Sequence, residues 1–219
     1  MKKNELVWRE LVDSAVIGHQ RRWANVDDLA FRAGVAPPTA FYALRRLVEI
    51  GAISQHHAGF TVVNPEKVLT LLCAARSVVA DALMVTTLTR TDADALASTW
   101  ADEVISGGAS AAVELLGGKN TVSDYSEFIL YLRDDSVVGP FLDELKHLTV
   151  GPGRVDVGDP AQVTVLLADR RAAREWGTHT SFAQTYADLF ATPGWQSSEF
   201  YDALQSRYLT TELTVRMSV

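Results

Sequence analysis

The side chains with the clearest chemical potential lie together on one predicted helix. Arg45 and Arg46 are adjacent, and Pro38, Thr39 and Tyr42 precede them on the same outward face. A guanidinium donates two hydrogen bonds to guanine in the major groove or binds a phosphate, and hydroxyl groups donate to phosphates. We therefore predict that these five residues contact double-stranded DNA, with a solvated helix face as the alternative for the two arginines.

Four further residues are weaker candidates for DNA contact. Arg21 and Arg22 precede the second predicted helix, where contacts to the DNA backbone commonly fall, but an ordinary surface pair is an equal alternative. His56 and His57 lie at the tip of a predicted hairpin that carries no Lys or Arg, so their hold on a phosphate is expected to be weak. Adjacent strand residues point to opposite faces, and metal binding by the histidine pair is therefore not expected.

Two helices are predicted to precede the arginine-bearing helix. Apolar residues recur at helical spacing from Asn4 to about Gly18. A second, short helix is predicted over 26–33, because Asn25 can accept hydrogen bonds from free amides and Gly34 supplies a left-handed cap.

The third helix is predicted to begin at Pro37, which lacks an amide hydrogen, and to end near Glu49. Phe41 is predicted to pack in the core, with contact to a thymine methyl group as the alternative. The inward face is predicted to consist of Ala40, Leu44 and Leu47.

Two short strands, 52–56 and 60–63, are predicted around Ala58-Gly59. A short helix, a glycine turn and a second helix form the helix-turn-helix arrangement, which places the later helix in a major groove. Residues 1–63 are thus predicted to be a winged helix-turn-helix DNA-binding domain.

The rest of the chain is predicted to contain a connecting helix, 64–75, and a mixed α/β domain, 76–219, that regulates or binds a partner. Asn64-Pro65 begins the connecting helix, which is expected to pack between the two halves. A strand is predicted to begin near Val79, and a helix capped at Thr91 is predicted to reach Ile105. Further helices are predicted over 109–116, 136–148, 181–190 and 197–208, and strands over 127–132, 154–157 and 162–167.

Charge is distributed unevenly between the two predicted halves. The whole chain carries a formal charge of −7, but residues 1–63 hold eight Lys or Arg and six Asp or Glu, a net of +2, and the remainder has a net of −9. We expect a homodimer for adequate phosphate contact and, through the acidic half, a possible protein partner.

One cysteine, Cys73, and no apolar run long enough for a bilayer favour a cytoplasmic protein with that cysteine in its core.

Catalytic constellations in the C-terminal half are incomplete. Nucleotidyltransferases place a Gly-Ser turn at a helix start and three carboxylates on neighbouring strands around two metal ions. Gly108-Ala109-Ser110 is similar to that turn, and Asp156 can supply the third acid. Asp124 and Glu127 are three residues apart, which is the wrong spacing for a shared strand face. We predict at most a degenerate nucleotidyltransferase-like fold and no enzymatic activity.

Other motifs in this half are interpreted as structural. His147 and His179 lack ligands at zinc spacing, so no metal or other cofactor is expected. The stretch 169–175 is predicted to be a solvated charged helix face, and Trp176 and Trp195 are expected to anchor the core or a partner surface.

The whole chain resembles the AbiEi-type transcriptional regulators and antitoxins of type IV toxin–antitoxin systems. The likeness rests on the predicted winged helix, on Pro65-Glu66-Lys67-Val68-Leu69, on the strand from Phe128 to Leu132, and on the closing segment from Thr185 to Trp195. It implies a repressor of its own promoter and, where a toxin is present, an antitoxin acting through the C-terminal domain. A regulator that senses a small molecule, with a pocket near Trp100 or Tyr131, is the alternative function.

Overall fold

The computed structural model describes residues 2–149 and 159–209. Its N-terminal part contains the predicted helices and strands in the predicted order, together with one short strand, Arg22–Trp23, that was not predicted. They are α1 (Lys3–Val16), β1 (Arg22–Trp23), α2 (Val26–Ala33), α3 (Pro37–Glu49), β2 (Ile53–His56) and β3 (Gly59–Val62). The three predicted helices and the two predicted strands are confirmed as elements, with small shifts at their ends.

Local signals fix the boundaries of α2 and α3. The Asn25 side chain accepts a hydrogen bond from the Asp28 amide at 2.8 Å, which begins α2. Gly34 ends that helix with φ +66°, a left-handed conformation that favours glycine. Pro37 then occupies the first position of α3, where a missing amide hydrogen has no cost.

A three-stranded antiparallel sheet follows, in the order β1-β3-β2. Ile53 pairs with Val62, and His56 pairs with Gly59 at the hairpin turn. Gly59 has φ +114°, and a Cβ at this position would lie 2.0 Å from the Trp23 carbonyl oxygen. Only glycine therefore fits where β3 approaches β1.

Helix α4 (Pro65–Ala75) joins the two halves as a packed element. Asn64 caps it by accepting from the Lys67 amide at 3.0 Å. Val68, Leu72 and Cys73 are buried against α1 and against a later helix, so the predicted packing of this helix and the core position of Cys73 are both confirmed.

The C-terminal part combines helices with a four-stranded sheet, which confirms the predicted mixture of α and β structure. Its helices are α5 (Val78–Asp81), α6 (Arg90–Thr99), α7 (Gly108–Leu115), α8 (Val138–Thr149), α9 (Ala172–Glu175), α10 (Phe182–Ala191) and α11 (Trp195–Tyr208), with a 3-10 turn at Asp135–Val137. Its strands are β4 (Met84–Thr89), β5 (Val104–Gly107), β6 (Glu127–Leu132) and β7 (Pro160–Leu167). The order is β4-β7-β6-β5, with β6 and β7 parallel and the other pairs antiparallel.

Two predicted elements of this part are wrong. The helix expected to reach Ile105 ends at Thr99, and Ile105 lies on β5 opposite Tyr131, where the pairing buries it completely. The strand expected from Val79 begins only at Met84, because the Ser77 side chain caps a helical turn first. The strand predicted over 154–157 lies outside the described residues.

Among residues 2–149 and 159–209, the four-stranded sheet separates two of three hydrophobic clusters. Alternate residues of β6 point to opposite faces: Phe128, Leu130 and Leu132 pack against α6 and α8, whereas Ile129 and Tyr131 lie in the cluster around Val78 and Leu166. The largest cluster runs from Val7 to Leu209 and contains side chains from both predicted halves. No helix among the described residues is long and apolar enough to cross a bilayer.

Candidate functional site

Helix α3 has one fully buried face and one exposed face. Ala40, Leu44 and Leu47 are buried, as predicted, and the Trp8 indole nitrogen donates to the Ala43 carbonyl oxygen at 3.3 Å, which holds α1 against this side. We call the opposite side the outer face of α3. It consists of Pro38, Thr39, Phe41, Tyr42, Arg45 and Arg46; of these only Thr39 is half-buried, and the others are exposed.

The expectation that Phe41 packs in the core is wrong. Its side chain is 53% exposed, and its ring lies edge-on to the Tyr42 ring with centroids 6.0 Å apart. Successive helical residues are about 100° apart, so Phe41 lies to one side of the stripe that contains Ala40 and Leu44. Phe41 and Tyr42 instead form an exposed aromatic pair.

The two arginines of the outer face share one counter-ion. Arg45 Nε lies 3.4 Å from Glu49 Oε1, and Arg46 Nη1 lies 3.2 Å from Glu49 Oε2. The arginine side chains remain 68% and 60% exposed. Such exposed pairs contribute little to stability, so either guanidinium can leave Glu49 for a phosphate at small cost.

The other four predicted DNA-contact residues lie around the small sheet. Arg22 is exposed on β1, where it pairs with Thr61, and Arg21 is half-buried just before it. His56 Nε2 lies 3.1 Å from the Thr61 hydroxyl, and His57 is exposed in the hairpin turn. Because β3 separates β1 from β2, the arginine pair and the histidine pair are on opposite edges of the sheet, and α3 contacts the β2 edge.

A buried polar cluster in the C-terminal half was not found by sequence reasoning. We define it as Arg76, Tyr131, Gln184 and Asp188. Arg76 Nε donates to Asp188 Oδ1 at 2.7 Å, the Tyr131 hydroxyl donates to Asp188 Oδ2 at 2.6 Å, and Gln184 Nε2 donates to both Tyr131 and Asp188. The signals in the sequence were an arginine within an apolar run, and a glutamine and an aspartate spaced i,i+4 on an apolar helix.

The electrostatics of this cluster follow from its burial. Burial raises the pKa of Tyr131, and the neighbouring Asp188 carboxylate raises it further. Burial alone would lower the pKa of Arg76, but Asp188 and Tyr131 outweigh it and raise the pKa above its ordinary value. Both groups therefore keep their protons at any physiological pH, and the cluster has the character of a structural link rather than an acid–base site.

A second polar link joins α1 to the segment before α9. Arg9 Nη1 lies 2.8 Å from Asp169 Oδ2, and its guanidinium stacks over the Trp176 ring at 4.9 Å from the centroid. Arg171 donates to the Phe31 carbonyl oxygen at the end of α2. The expectation of a solvated charged stretch at 169–175 is therefore wrong at Asp169 and Arg171, which hold the two halves together.

Two cavities adjoin at Arg9 and Trp176, which line both. The larger, about 470 Å³, is a cleft between α1, the end of α2 and the segment 175–182. The smaller, about 270 Å³, is lined by Arg76, Tyr131 and Asp169 among others. The predicted pocket near Tyr131 is thus present, whereas the Trp100 ring packs on Phe141 and donates to Glu144 at 2.8 Å.

Of the acidic residues considered for catalysis, Glu127 contacts α11. Ser197 donates to Glu127 Oε2 at 3.2 Å, and burial raises the pKa of Glu127. Asp156 lies outside the described residues. Across 2–149 and 159–209, no group of three or more His, Cys, Asp and Glu side chains is arranged to hold a metal ion.

Trp195 is exposed at the start of α11, and a core role for it is therefore wrong.

Trp176 is half-buried and stacks with Arg9 and, edge-on at 5.6 Å, with Tyr131. Its expected anchoring role is thus fulfilled at the contact between the halves.

Comparison of the chain with models of protein families, with curated proteins and with solved structures found no match.

Proposed function

We propose that this chain binds double-stranded DNA through the outer face of α3 and regulates transcription. The observation that carries the proposal is the exposure of Tyr42, Arg45 and Arg46 on a helix whose other face is completely buried. A rigidly held helix with exposed guanidinium and hydroxyl groups matches what contact with bases and phosphates requires.

The surrounding elements support a winged helix-turn-helix as the unit that presents α3. Helices α2 and α3 are separated by the turn at Gly34, and the β2–β3 hairpin follows α3 directly. In helix-turn-helix proteins the second of two such helices lies in the major groove. In this arrangement Arg45 and Arg46 lie within reach of the duplex, and Arg22 and the His56-His57 turn flank the same unit.

Charge favours binding as a dimer. Residues 1–63 have a net charge of only +2, so one copy supplies few phosphate contacts, and two copies double them. As part of the proposal, the acidic C-terminal half binds a second copy or a protein partner, which is the arrangement expected of an autoregulating antitoxin. Light scattering of the purified chain measures its molar mass and so tests whether it binds a second copy.

A mobility-shift assay at stated salt, with the DNA upstream of the chain's own gene, tests the proposal. The variant Arg45→Ala/Arg46→Ala should bind at least tenfold more weakly. A plot of the logarithm of its affinity against the logarithm of the salt concentration should also be less steep, by about 2 in slope. The reason is that the variant can no longer neutralise two phosphates. Its melting temperature should not change, because both side chains are exposed.

The matched control is Arg170→Ala/Arg174→Ala, which removes the same charge from exposed positions in the C-terminal half. It should bind like the parent. Equal affinity of the parent and the α3 double variant would overturn the assignment of the outer face.

A second candidate function, sensing of a small molecule, is favoured by the cleft of about 470 Å³ between the two halves. This volume lies in the range of ligand pockets, and α1 and α2 form one of its walls. A panel of metabolites should contain a compound that raises the melting temperature of the parent. Ile17→Trp, which puts a larger side chain into the lining of the cleft, should abolish that shift, and Val79→Trp, at an exposed position outside the cleft, should retain it.

A further inference from the structure

The outer face of α3 divides into two chemically different halves. The C-terminal half carries Arg45 and Arg46 with their counter-ion Glu49. The N-terminal half carries no charged side chain; it presents Pro38, Thr39, Phe41 and Tyr42. In helix-turn-helix proteins the N-terminal residues of the second helix contact base edges. If the proposed function holds, the uncharged half is therefore the part that meets the bases.

The chemistry of this half selects among the bases. Guanine is read mainly by Arg or Lys, and adenine by the side-chain amide of Asn or Gln, and neither kind of group occurs from Pro37 to Leu44. Thymine alone presents an apolar group, its C5 methyl, in the major groove. An exposed aromatic ring therefore has one well-matched partner on the floor of that groove.

Phe41 is placed to make that contact. Its ring is 53% exposed, and Tyr42 packs against it at 6.0 Å with an angle of 75° between the ring planes. The edge-on packing limits the positions of the ring, and the buried neighbours Ala40 and Ala43 fix the backbone beneath it. Covering this apolar surface with a methyl group stabilises a complex, since apolar area leaves water.

We propose that Phe41 is a specificity-determining residue that contacts the C5 methyl group of thymine in the major groove, so that the chain selects duplexes with thymine at that position. This inference rests on the proposed function. Tyr42 supports the ring, and Arg45 and Arg46 hold the adjacent phosphates.

Replacement of thymine by uracil in DNA tests this directly, because uracil lacks only the C5 methyl group. A duplex is first enriched from a random pool by the parent chain and is then synthesised with thymine or with uracil throughout. The parent should bind the uracil duplex about fourfold more weakly for each methyl group that no longer packs on the protein. Phe41→Ala should bind the thymine duplex with a similar reduction in affinity and should no longer distinguish the two duplexes.

Phe190→Ala is the matched control, because Phe190 is 52% exposed on α10 in the C-terminal half. It should retain the parent's preference for thymine. Equal binding of both duplexes by the parent, or an undiminished preference in Phe41→Ala, overturns the role of Phe41 and leaves DNA binding intact. Failure of the parent to enrich or bind any duplex overturns the proposed function, and the role of Phe41 with it.

Discussion

Arg76 Nε donates a hydrogen bond to Asp188 Oδ1 at 2.7 Å across 112 residues of sequence, and neither side chain has contact with solvent. Arg76 ends α4, and Asp188 lies in the middle of α10, so this ion pair fixes the connecting helix to the C-terminal half. Tyr131, Gln184 and Asp81 complete the hydrogen bonds of the pair. A fully satisfied buried network of this kind specifies one arrangement of the elements that contribute to it.

Removal of one member of this pair should be strongly destabilising. Asp188→Ala leaves the Arg76 guanidinium buried without its main counter-ion, and breaking a buried pair in this way costs about 3–5 kcal/mol. Chemical denaturation should show a decrease of that size in the free energy of unfolding. Asp202→Ala, at an exposed position on α11, should change the same free energy by less than about 0.5 kcal/mol. A similar small effect for both variants would show that the pair does not fix the connecting helix to the C-terminal half.

The pH dependence of stability should report on Asp13. This α1 carboxylate accepts a hydrogen bond from the Ala183 amide at 2.8 Å, and burial raises its pKa to about 6 from an ordinary value of 3.8. Between these two pH values the folded chain binds more protons than the unfolded chain. The Asp13 contribution to the free energy of unfolding therefore decreases as the pH rises from about 4 through 6. Because Asp13 keeps some solvent contact, we expect a decrease on the order of 1–2 kcal/mol.

Asp13→Asn keeps an acceptor for the Ala183 amide and removes the titration. The free energy of unfolding of Asp13→Asn minus that of the parent should therefore increase by about 1–2 kcal/mol from pH 4 to pH 7. Asp124→Asn, at an exposed position, is the control and should follow the parent across this range. Parallel curves for the parent and Asp13→Asn, measured by denaturation at several pH values, would contradict the raised pKa.

The sequence predicts the N-terminal elements well because their boundaries depend on local chemistry. Asn25, Gly34 and Pro37 each act on residues within one turn, so their effects can be inferred without knowledge of the fold. The outward positions of Tyr42, Arg45 and Arg46 follow from the same helical periodicity. Their contact with DNA stays a prediction.

The sequence predictions are wrong where contacts between residues far apart in the chain determine the structure. The segment 104–107 forms a strand because it pairs with β6, more than twenty residues later, and local propensity does not report that pairing. In the buried polar cluster, the i,i+4 spacing of Gln184 and Asp188 is visible in the sequence, but their partners Arg76 and Tyr131 are more than fifty residues away and no spacing rule reveals them. Phe41 is exposed because Ala40, Ala43 and Leu44 already fill the buried stripe of α3, which depends on how closely α1 approaches.

The hairpin should depend on Gly59. An alanine there must adopt φ near +114° and place its Cβ against the Trp23 carbonyl oxygen, so Gly59→Ala should destabilise the chain by several kcal/mol. Gly177→Ala is the control: no atom lies within 4 Å of the added Cβ, and φ lies outside the left-handed region, so its stability should change by less than about 0.5 kcal/mol. Thermal denaturation should therefore show a lower melting temperature for Gly59→Ala alone. Equal melting temperatures would contradict the described approach of β3 to β1.

Glu49 should weaken DNA binding by competing for Arg45 and Arg46. Its two carboxylate oxygens lie 3.4 and 3.2 Å from those guanidinium groups, so a phosphate must displace it and also experiences its negative charge. Glu49→Gln removes the charge and should raise affinity for an enriched duplex about two- to fivefold at low salt, with a smaller gain at high salt because the interaction is screened.

The control for this gain is Glu199→Gln, which changes the net charge equally at an exposed position on α11. A gain confined to Glu49→Gln locates the duplex at the outer face of α3, because a general reduction of negative charge would raise affinity in both variants. Combination with Arg45→Ala/Arg46→Ala should reduce the gain, since the released guanidinium groups are then absent and only the loss of the Glu49 charge acts on the duplex. An undiminished gain in that triple variant would contradict the competition between Glu49 and the phosphates for the two arginines.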